Sequence, residues 1–324
     1  MTSLAFVVRR LLQVVPVVLA IAALNFLLVK MAPGDAADIL SGQMGHATLE
    51  FTQQLRHDLG LDLPLLEQFV VYLGRLARLD LGTSLIQQQP VLDLILDRLP
   101  ATLLLMVTAI GIAVASGIAL GVAAARRQGG WLDNAISVVA LLVYATPAFW
   151  LGLMLIVFFS IRLDILPSGG MMEIGASKSS LGHAVDVAHH LILPALTLGL
   201  FYAALYARLM RASMLEVYGQ EFITTARAKG LSERSIAWSH AARNALLPVV
   251  TLVGMQLGHL LGGSILIETV FAWPGLGRLV FDALQQRDLN LLLGILFVSS
   301  VVVVLANLVV DLLYGVLDPR ITHK

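Results

Sequence analysis

Six separate stretches of this chain are each apolar for about the length that carries a helix through a lipid bilayer. They run approximately Leu11–Val29, Ala101–Ala125, Ala135–Ile161, Leu191–Met210, Val249–Phe271 and Leu291–Leu317. A hydrocarbon core about 30 Å thick takes roughly 20 apolar residues of helix. Inside it a backbone must satisfy its own hydrogen bonds, so each stretch is predicted as a helix. The expected fold class is an all-α polytopic membrane protein with about six transmembrane helices. Of the 324 residues, 58% are hydrophobic and only 13% charged. A soluble domain of that size has no place to hide so much apolar surface.

The first stretch has two readings. Arg9 and Arg10 before an apolar run, with Ala20-Ile21-Ala22 as a small-x-small site, describe a signal peptide. The run continues past that site to Val29 with only Asn25 interrupting, which fits an uncleaved anchor better. Lysine and arginine then set the topology. Arg9 and Arg10 precede the first span, and Arg126 and Arg127 follow the second. Six more basic residues (Arg208, Arg211, Arg227, Lys229, Arg234, Arg243) lie around the connection between the fourth and fifth spans, and Arg320 and Lys324 end the sequence. With six spans all four regions share one side, the cytoplasmic one, and both termini are expected there.

The expected organisation is residues 1–30 as a cytoplasmic start and first helix, 31–100 as an outer loop with short helices, 101–317 as a core of five spans containing a cytoplasmic loop at 212–247, and 318–324 as a cytoplasmic tail. In the outer loop, Leu49 to Leu79 has helical periodicity through Leu55, Leu59, Leu66, Val70 and Leu73, and Gly60 and Pro64 divide it into at least two short helices.

Composition also excludes chemistry. The formal net charge is zero, so no basic excess points to nucleic acid. There is no cysteine for a disulfide, a thiolate metal site or a nucleophile, and no Gly-x-x-x-x-Gly-Lys-Ser/Thr phosphate loop. No enzymatic activity, cofactor or metal is expected on this chain.

The segment Glu216–Leu247 reads as two short helices split at Gly230. The first, about Gln220–Lys229, has Glu221 in its opening turn and Arg227 and Lys229 at its end, the order that complements the helix dipole, with Gly230 as a left-handed stop. The second starts after Ser232, and Pro248 opens the next span. Phe222, Ile223 and Ala226 give the first helix an apolar face with no span obviously covering it. Such a helix suits a groove in another protein or the headgroup layer of a membrane.

The run Thr224-Thr-Ala-Arg-Ala-Lys-Gly-Leu231, followed by Arg243-Asn-Ala-Leu-Leu-Pro248, resembles the cytoplasmic loop motif of binding-protein-dependent ABC transporter permeases, and in detail the first of the two permease subunits in the dipeptide/oligopeptide/nickel branch. In the general pattern a Glu-Ala-Ala triplet precedes the glycine. Here Thr224, Thr225 and Ala226 hold those places, and the acidic Glu221 lies three residues earlier. Met31-Ala-Pro-Gly-Asp35, Leu79-Asp-Leu-Gly-Thr-Ser84, Pro100-Ala-Thr102 and Tyr144-Ala-Thr-Pro-Ala-Phe-Trp150 fit the same branch. So do Ile267 to Arg278, Asn307-Leu-Val-Val-Asp311 and Asp318-Pro-Arg-Ile321, so the resemblance covers nearly the whole chain.

The resemblance implies a type I ABC importer permease fold in the inner membrane. It implies a homologous second permease subunit, two ATPase subunits that carry ATP and Mg, and a periplasmic or lipid-anchored substrate-binding protein. The cargo would be small hydrophilic solutes, short peptides first, with nickel or another metal chelate as the alternative. Glu221, Phe222, Thr224, Thr225, Ala226, Arg227, Lys229 and Gly230 would form the coupling helix seated in an ATPase cleft. Trp273, Pro274 and Gly275 would be a periplasmic docking or gating turn, or simply an interfacial anchor followed by a turn.

Four other features carry weaker expectations. Gly254, Gly258 and Gly262 share a face suited to close helix packing. Beside it Gln256, His259 and Gly263 form a polar strip which, with Met255, is a candidate translocation path or a buried hydrogen-bonding seam. Pro147 is expected to kink the third span. Asn307 and Asp311 are expected to bond neighbouring helices, and His183, His189 and His190 to form a solvated or interfacial cluster rather than a metal site. An ion-coupled secondary transporter is the rival from another class. It calls for an internal repeat and midplane ionisable groups; no repeat is visible, and Asp311 lies near an end of its span rather than the middle.

Overall fold

A computed structural model describes residues 4–31, 37, 48–58, 60–84, 86–173, 175 and 179–317, with the side chains of 4–11, 49, 55, 58, 257–263 and 311–317 outside the description. The described residues are helical apart from turns and one isolated bridge between Thr83 and Pro90. Residues 98–281 form one compact unit, and the described parts of 1–97 and 282–324 form another.

The second unit contains α1 (Leu4–Met31), α2 (Leu49–Asp58), α3 (Leu65–Ala77) and, near the end of the chain, α12 (Leu289–Leu317). Gly60, at φ 67°, and Pro64, at the N-cap of α3, separate α2 from α3 as expected. Ala22, Leu76 and Phe297 bury one another between α1, α3 and α12. Phe26 packs on Phe69 and Tyr72 at centroid distances of 5.3 and 5.7 Å. Asn25 interrupts its apolar run for a reason: its side-chain amide is buried and donates to the Leu293 carbonyl at 3.3 Å. Asp288 caps α12 by accepting from the Leu291 N–H at 3.1 Å and also accepts from the Ser84 hydroxyl. Leu66 and Val70, part of the predicted periodicity, point out of the unit instead of into it.

The 98–281 unit holds the remaining long helices, with the first turns of α4 (before residue 98) and the end of α11 (after residue 281) belonging to the other unit. They are α4 (Val91–Arg126), α5 (Trp131–Ala145), α6 (Ala148–Leu155) continued by a π-helical stretch at Ile156–Arg162, α7 (Ser180–Tyr218), and α10 (Ala242–Val270). Shorter helices α8 (Glu221–Ala228), α9 (Glu233–Ser235) and α11 (Leu276–Gln285) lie between or after them, and a second π-helical stretch, Ile236–Ala241, joins α9 to α10.

Two boundaries differ from expectation because proline sits inside a helix. Helix α4 starts at Val91, so Pro100 lies within it and not at the end of a loop. Helix α10 likewise runs through Pro248. Each proline removes one hydrogen bond, and a long helix with many packing contacts tolerates the loss.

Pro147 does more than kink. Helix α5 ends at Ala145, Thr146 takes an extended conformation (φ −85°, ψ 131°), and α6 departs at 105°. The proline ring disfavours helical geometry at the residue before it, which explains Thr146. A pair bent beyond a right angle either crosses the membrane as a broken span or returns to its starting side. The contacts along α7 decide. Asp133, at the start of α5, accepts a two-pronged ion pair from Arg211. Tyr144 stacks on Phe201 at 5.6 Å, Gly152 faces the Thr197 methyl, and the Ile165 carbonyl meets His189 at 3.1 Å. His189 and Arg211 are about 33 Å apart at 1.5 Å per helical residue. The bent pair therefore travels the full thickness of a hydrocarbon core, antiparallel to α7.

The same measure applies to α10. Ala245 and Val249 share a core with Met210 and Met214, while Ile267 and Phe271 share one with Leu191 and Leu193. By length and composition alone, four described helices qualify as spans and the bent pair makes a fifth. Helix α10, a continuous 29-residue helix, occupies the place of the sixth.

Helices α4 and α7 run in the same direction in very close contact. A Cβ added at Gly117 would stand 2.6 Å from the Tyr206 Cβ, one at Gly121 would stand 2.6 Å from the Met210 Cβ, and one at Gly199 would stand 2.7 Å from an Ile112 methyl. This is the small-xxx-small packing that membrane helices use. It falls at Gly117 and Gly121, whereas the glycines expected to do this were in α10. Of those, Gly254 is buried and the surroundings of Gly258 and Gly262 lie outside the described residues.

Candidate functional site

Helix α8 ends as its sequence requires. Gly230 adopts φ 75°; its N–H reaches the Arg227 carbonyl at 2.9 Å, and the Leu231 N–H reaches the Ala226 carbonyl at 3.3 Å. Those two bonds are the Schellman stop, which needs a left-handed residue and favours glycine. Two residues on, the Ser232 hydroxyl accepts from the Ser235 N–H at 3.3 Å and starts α9. Arg227 bridges the turn, donating to both oxygens of Glu233 at 2.9 and 3.4 Å, and lies 5.9 Å from the Tyr218 ring at the end of α7. One guanidinium thus touches three helices. It also holds the Glu233 carboxyl below its ordinary range, chiefly through that hydrogen bond.

The orientation of α8 corrects one expectation. Ile223 and Ala226 are buried, and both belong to the core formed with Met214, Val217, Ile236 and Ala241. Their apolar face is used inside this chain and is not offered to a groove. The free face is Glu221, Phe222, Thr224, Thr225, Arg227, Lys229 and Gly230, all exposed.

The turn at Trp273 is corrected more strongly. Trp273 is fully buried, so it is neither a docking surface nor an interfacial anchor, and its indole N–H donates to the Ala101 carbonyl at 2.9 Å. Beside it lies a residue that sequence reasoning passed over. Glu268 is fully buried, with Oε1 accepting from the Thr102 hydroxyl at 2.8 Å and Oε2 from the Arg278 N–H at 3.0 Å. The Gly277 N–H and the Ser264 hydroxyl add further bonds. Thr102 in turn accepts from the Leu276 N–H at 2.7 Å.

Leu276, Gly277 and Arg278 open α11, so the carboxyl and the threonine satisfy N–H groups that a helix start leaves unpaired. Gly275 is compelled by the same cluster, because a Cβ there would run into both the carboxyl and the Thr102 hydroxyl. The signal was present in the sequence as an acidic residue ending an apolar run, but its partner lies far away along the chain.

The other candidates are more scattered. On α10, Met255 is 71% exposed and Gln256 half-buried, while the side chains of His259 and Gly263 lie outside the described residues. His190 bonds the Asp186 carbonyl at 2.9 Å within its own helix, and no group of three metal-ligating side chains occurs among the described residues. Asn307 is exposed, and the Asp311 side chain lies outside the description.

The sequence pattern of the binding-protein-dependent transport system inner membrane component matches residues 117–323, and the N-terminal pattern of the same membrane components matches residues 3–106. The chain belongs to this family. Among relatives, the dipeptide transport system permease protein DppB of Escherichia coli (strain K12) is 42% identical over 99% of both chains. The di/tripeptide permease protein DppB of Pseudomonas aeruginosa (strain UCBPP-PA14) is 39% identical, again over 99% of both. The glutathione transport system permease protein GsiC of Escherichia coli (strain K12) is 40% identical over 99% of this chain and all of its own.

A chain from the inward-facing MetNI methionine ABC transporter superposes with a TM-score of 0.57 at 18% identity, covering 69% of this chain and 96% of that one. That likeness establishes the type I importer fold. The chain is therefore a multi-pass inner-membrane permease subunit of an ABC importer. It is not an enzyme; in this family ATP hydrolysis belongs to separate subunits. Membership also implies, in general, a partner permease, ATPases and a substrate-binding protein.

Proposed function

We propose that this permease moves di- and oligopeptides inward, with both termini cytoplasmic and with α8 as the element that engages an ATPase subunit bearing ATP and Mg. The substrate reading is supported by the relatives, whose names specify dipeptides, di/tripeptides and glutathione, all short peptides. The coupling reading rests on one observation: a two-turn helix is buried along one edge, stopped by Gly230, braced by Arg227 on Glu233 and Tyr218, and left with a free face headed by Phe222. A half-exposed aromatic on a rigid short helix is an efficient anchor for a partner's cleft. Met255, Gln256, His259 and Gly263 remain the proposed path.

Phe222→Glu is expected to lower uptake of a labelled dipeptide into proteoliposomes at least tenfold and to loosen co-purification of the ATPases, with the permease still stable and inserted. Ala226→Glu is expected to do something different, since it forces an unpaired charge into the chain's own core. It should lower the thermal stability of the permease itself. Phe222→Glu with normal uptake and normal ATPase retention would assign the free face no coupling role.

Orientation has a separate check, helped by the absence of native cysteine. Gln88 and Ser232 are both exposed. Cysteine at Gln88 is expected to react with an impermeant thiol reagent outside intact spheroplasts, and cysteine at Ser232 only after the membrane is opened. Labelling of Ser232→Cys from outside would reverse the topology.

A further inference from the structure

We infer that the cavity between the end of α4, the start of α5, the end of α7 and α8 binds a phosphate-bearing anion, supplied by the headgroup of an anionic phospholipid. The cavity measures about 740 Å³, and its wall includes Arg126, Arg127, Leu132, Tyr218, Arg227 and Glu233. Arg227 and Glu233 neutralise each other. Arg126 and Arg127 are exposed and form no ion pair among the described residues, so the wall carries two uncompensated positive charges. Guanidinium groups recognise phosphate oxygens with paired hydrogen bonds.

The surroundings favour a lipid over a soluble anion. Trp131, four residues beyond Arg127, is 74% exposed at the mouth of α5, and Val138, Val139, Leu141 and Leu142 continue an exposed apolar face along that helix. An aromatic ring at headgroup depth, with apolar helix beneath and cations beside it, offers both halves of a phospholipid a place. The occupant would also touch Arg227, the brace of α8, so headgroup occupancy and the set of that helix are linked.

The test is native mass spectrometry of the full permease in neutral detergent. It is titrated with phosphatidylglycerol, with phosphatidylcholine, and with phosphatidylglycerol against millimolar inorganic phosphate. The expected result is preferential retention of phosphatidylglycerol that inorganic phosphate does not displace. An interfacial cation contributes about fivefold to anionic-lipid binding, so Arg126→Gln with Arg127→Gln is expected to weaken retention about 25-fold. Arg243→Gln, an exposed arginine outside the cavity, is expected to leave it unchanged. Three outcomes overturn the inference: equal retention of both lipids; an equal loss in Arg243→Gln, which reduces the effect to diffuse charge; or displacement by inorganic phosphate, which makes the ligand a free ion.

Discussion

Glutamine at position 268 is expected to lose most transport, although it keeps the size and both heavy-atom positions of glutamate. The buried carboxyl accepts from four groups: the hydroxyls of Thr102 and Ser264 and the backbone N–H groups of Gly277 and Arg278. An amide turns one of its two acceptors into a donor: turned toward Arg278 it meets a backbone N–H that can only donate, and turned toward Thr102 it makes that hydroxyl give up its own donation in order to accept. Each buried donor left without a partner costs about 1–3 kcal/mol. Glu268→Gln should therefore destabilise the permease by about that amount, and Glu268→Ala, which strands several donors at once, by about 3–5 kcal/mol.

The loss should appear first as release of α11 and the Trp273 turn, because those are what the carboxyl holds. Thermal unfolding in detergent and a double-mutant cycle with Thr102→Val check it. The two residues share a hydrogen bond, so a coupling energy well above the roughly 0.5 kcal/mol of independent sites is expected. Wild-type stability and uptake in Glu268→Gln would mean the carboxyl is not the clasp described above.

Gly121→Val is expected to be the most damaging single substitution in the transmembrane region. The nearest atoms to a new Cβ are the Met210 Cβ at 2.6 Å and the Ala207 carbonyl oxygen at 2.7 Å. Neither can swing aside, since one is fixed to its backbone and the other is backbone. Helices α4 and α7 must separate, and the packing of Tyr206 and Met210, both fully buried, goes with them. Overpacking ordinarily costs about 1–3 kcal/mol, and a backbone collision belongs at or beyond the top of that range. Gly111→Ala supplies the contrast. It lies on the same helix with nothing within 4 Å of its Cβ, so it should be neutral or gain up to about 1 kcal/mol from helix propensity. Membrane yield and melting temperature of the two variants give the comparison, and similar values for both would contradict the close crossing.

Much of the architecture was legible because it depends on local chemistry. Gly230, Ser232, Gly60 and Pro64 each act within a few residues of themselves, and each does in space what its type demands. The spans were legible because lipid imposes one length on all of them. The features that escaped depend on distant partners. An amphipathic pattern shows that Ile223 and Ala226 share an apolar face, but not that the covering surface is Met214 and Ile236 of the same chain. A proline announces a lost hydrogen bond at position 147, but the 105° departure depends on what α7 offers on either side. Trp273 beside Pro274 and Gly275 looks like an exposed turn until Ala101 arrives to accept its N–H. Glu268 looks like the polar end of a span until Thr102 and the start of α11 close around it.

From the Ser232 cap to Val270 the backbone never leaves a helical conformation. That is a continuous connecting rod of about 57 Å at 1.5 Å per residue, with the Arg227–Glu233 brace at one end and Glu268 at the other. A rod transmits rotation as well as push, and this one has two soft joints. One is the π-helical stretch at Ile236–Ala241, where bonding has slipped by one residue, and the other is Pro248, which leaves the Asn244 carbonyl without its usual intrahelical donor. Twist applied at the loop is either taken up at those joints or delivered to the clasp around Trp273. On the coupling role proposed for α8, the stiffness of a few turns near 236–248 would set how much of a displacement at the loop arrives at that clasp.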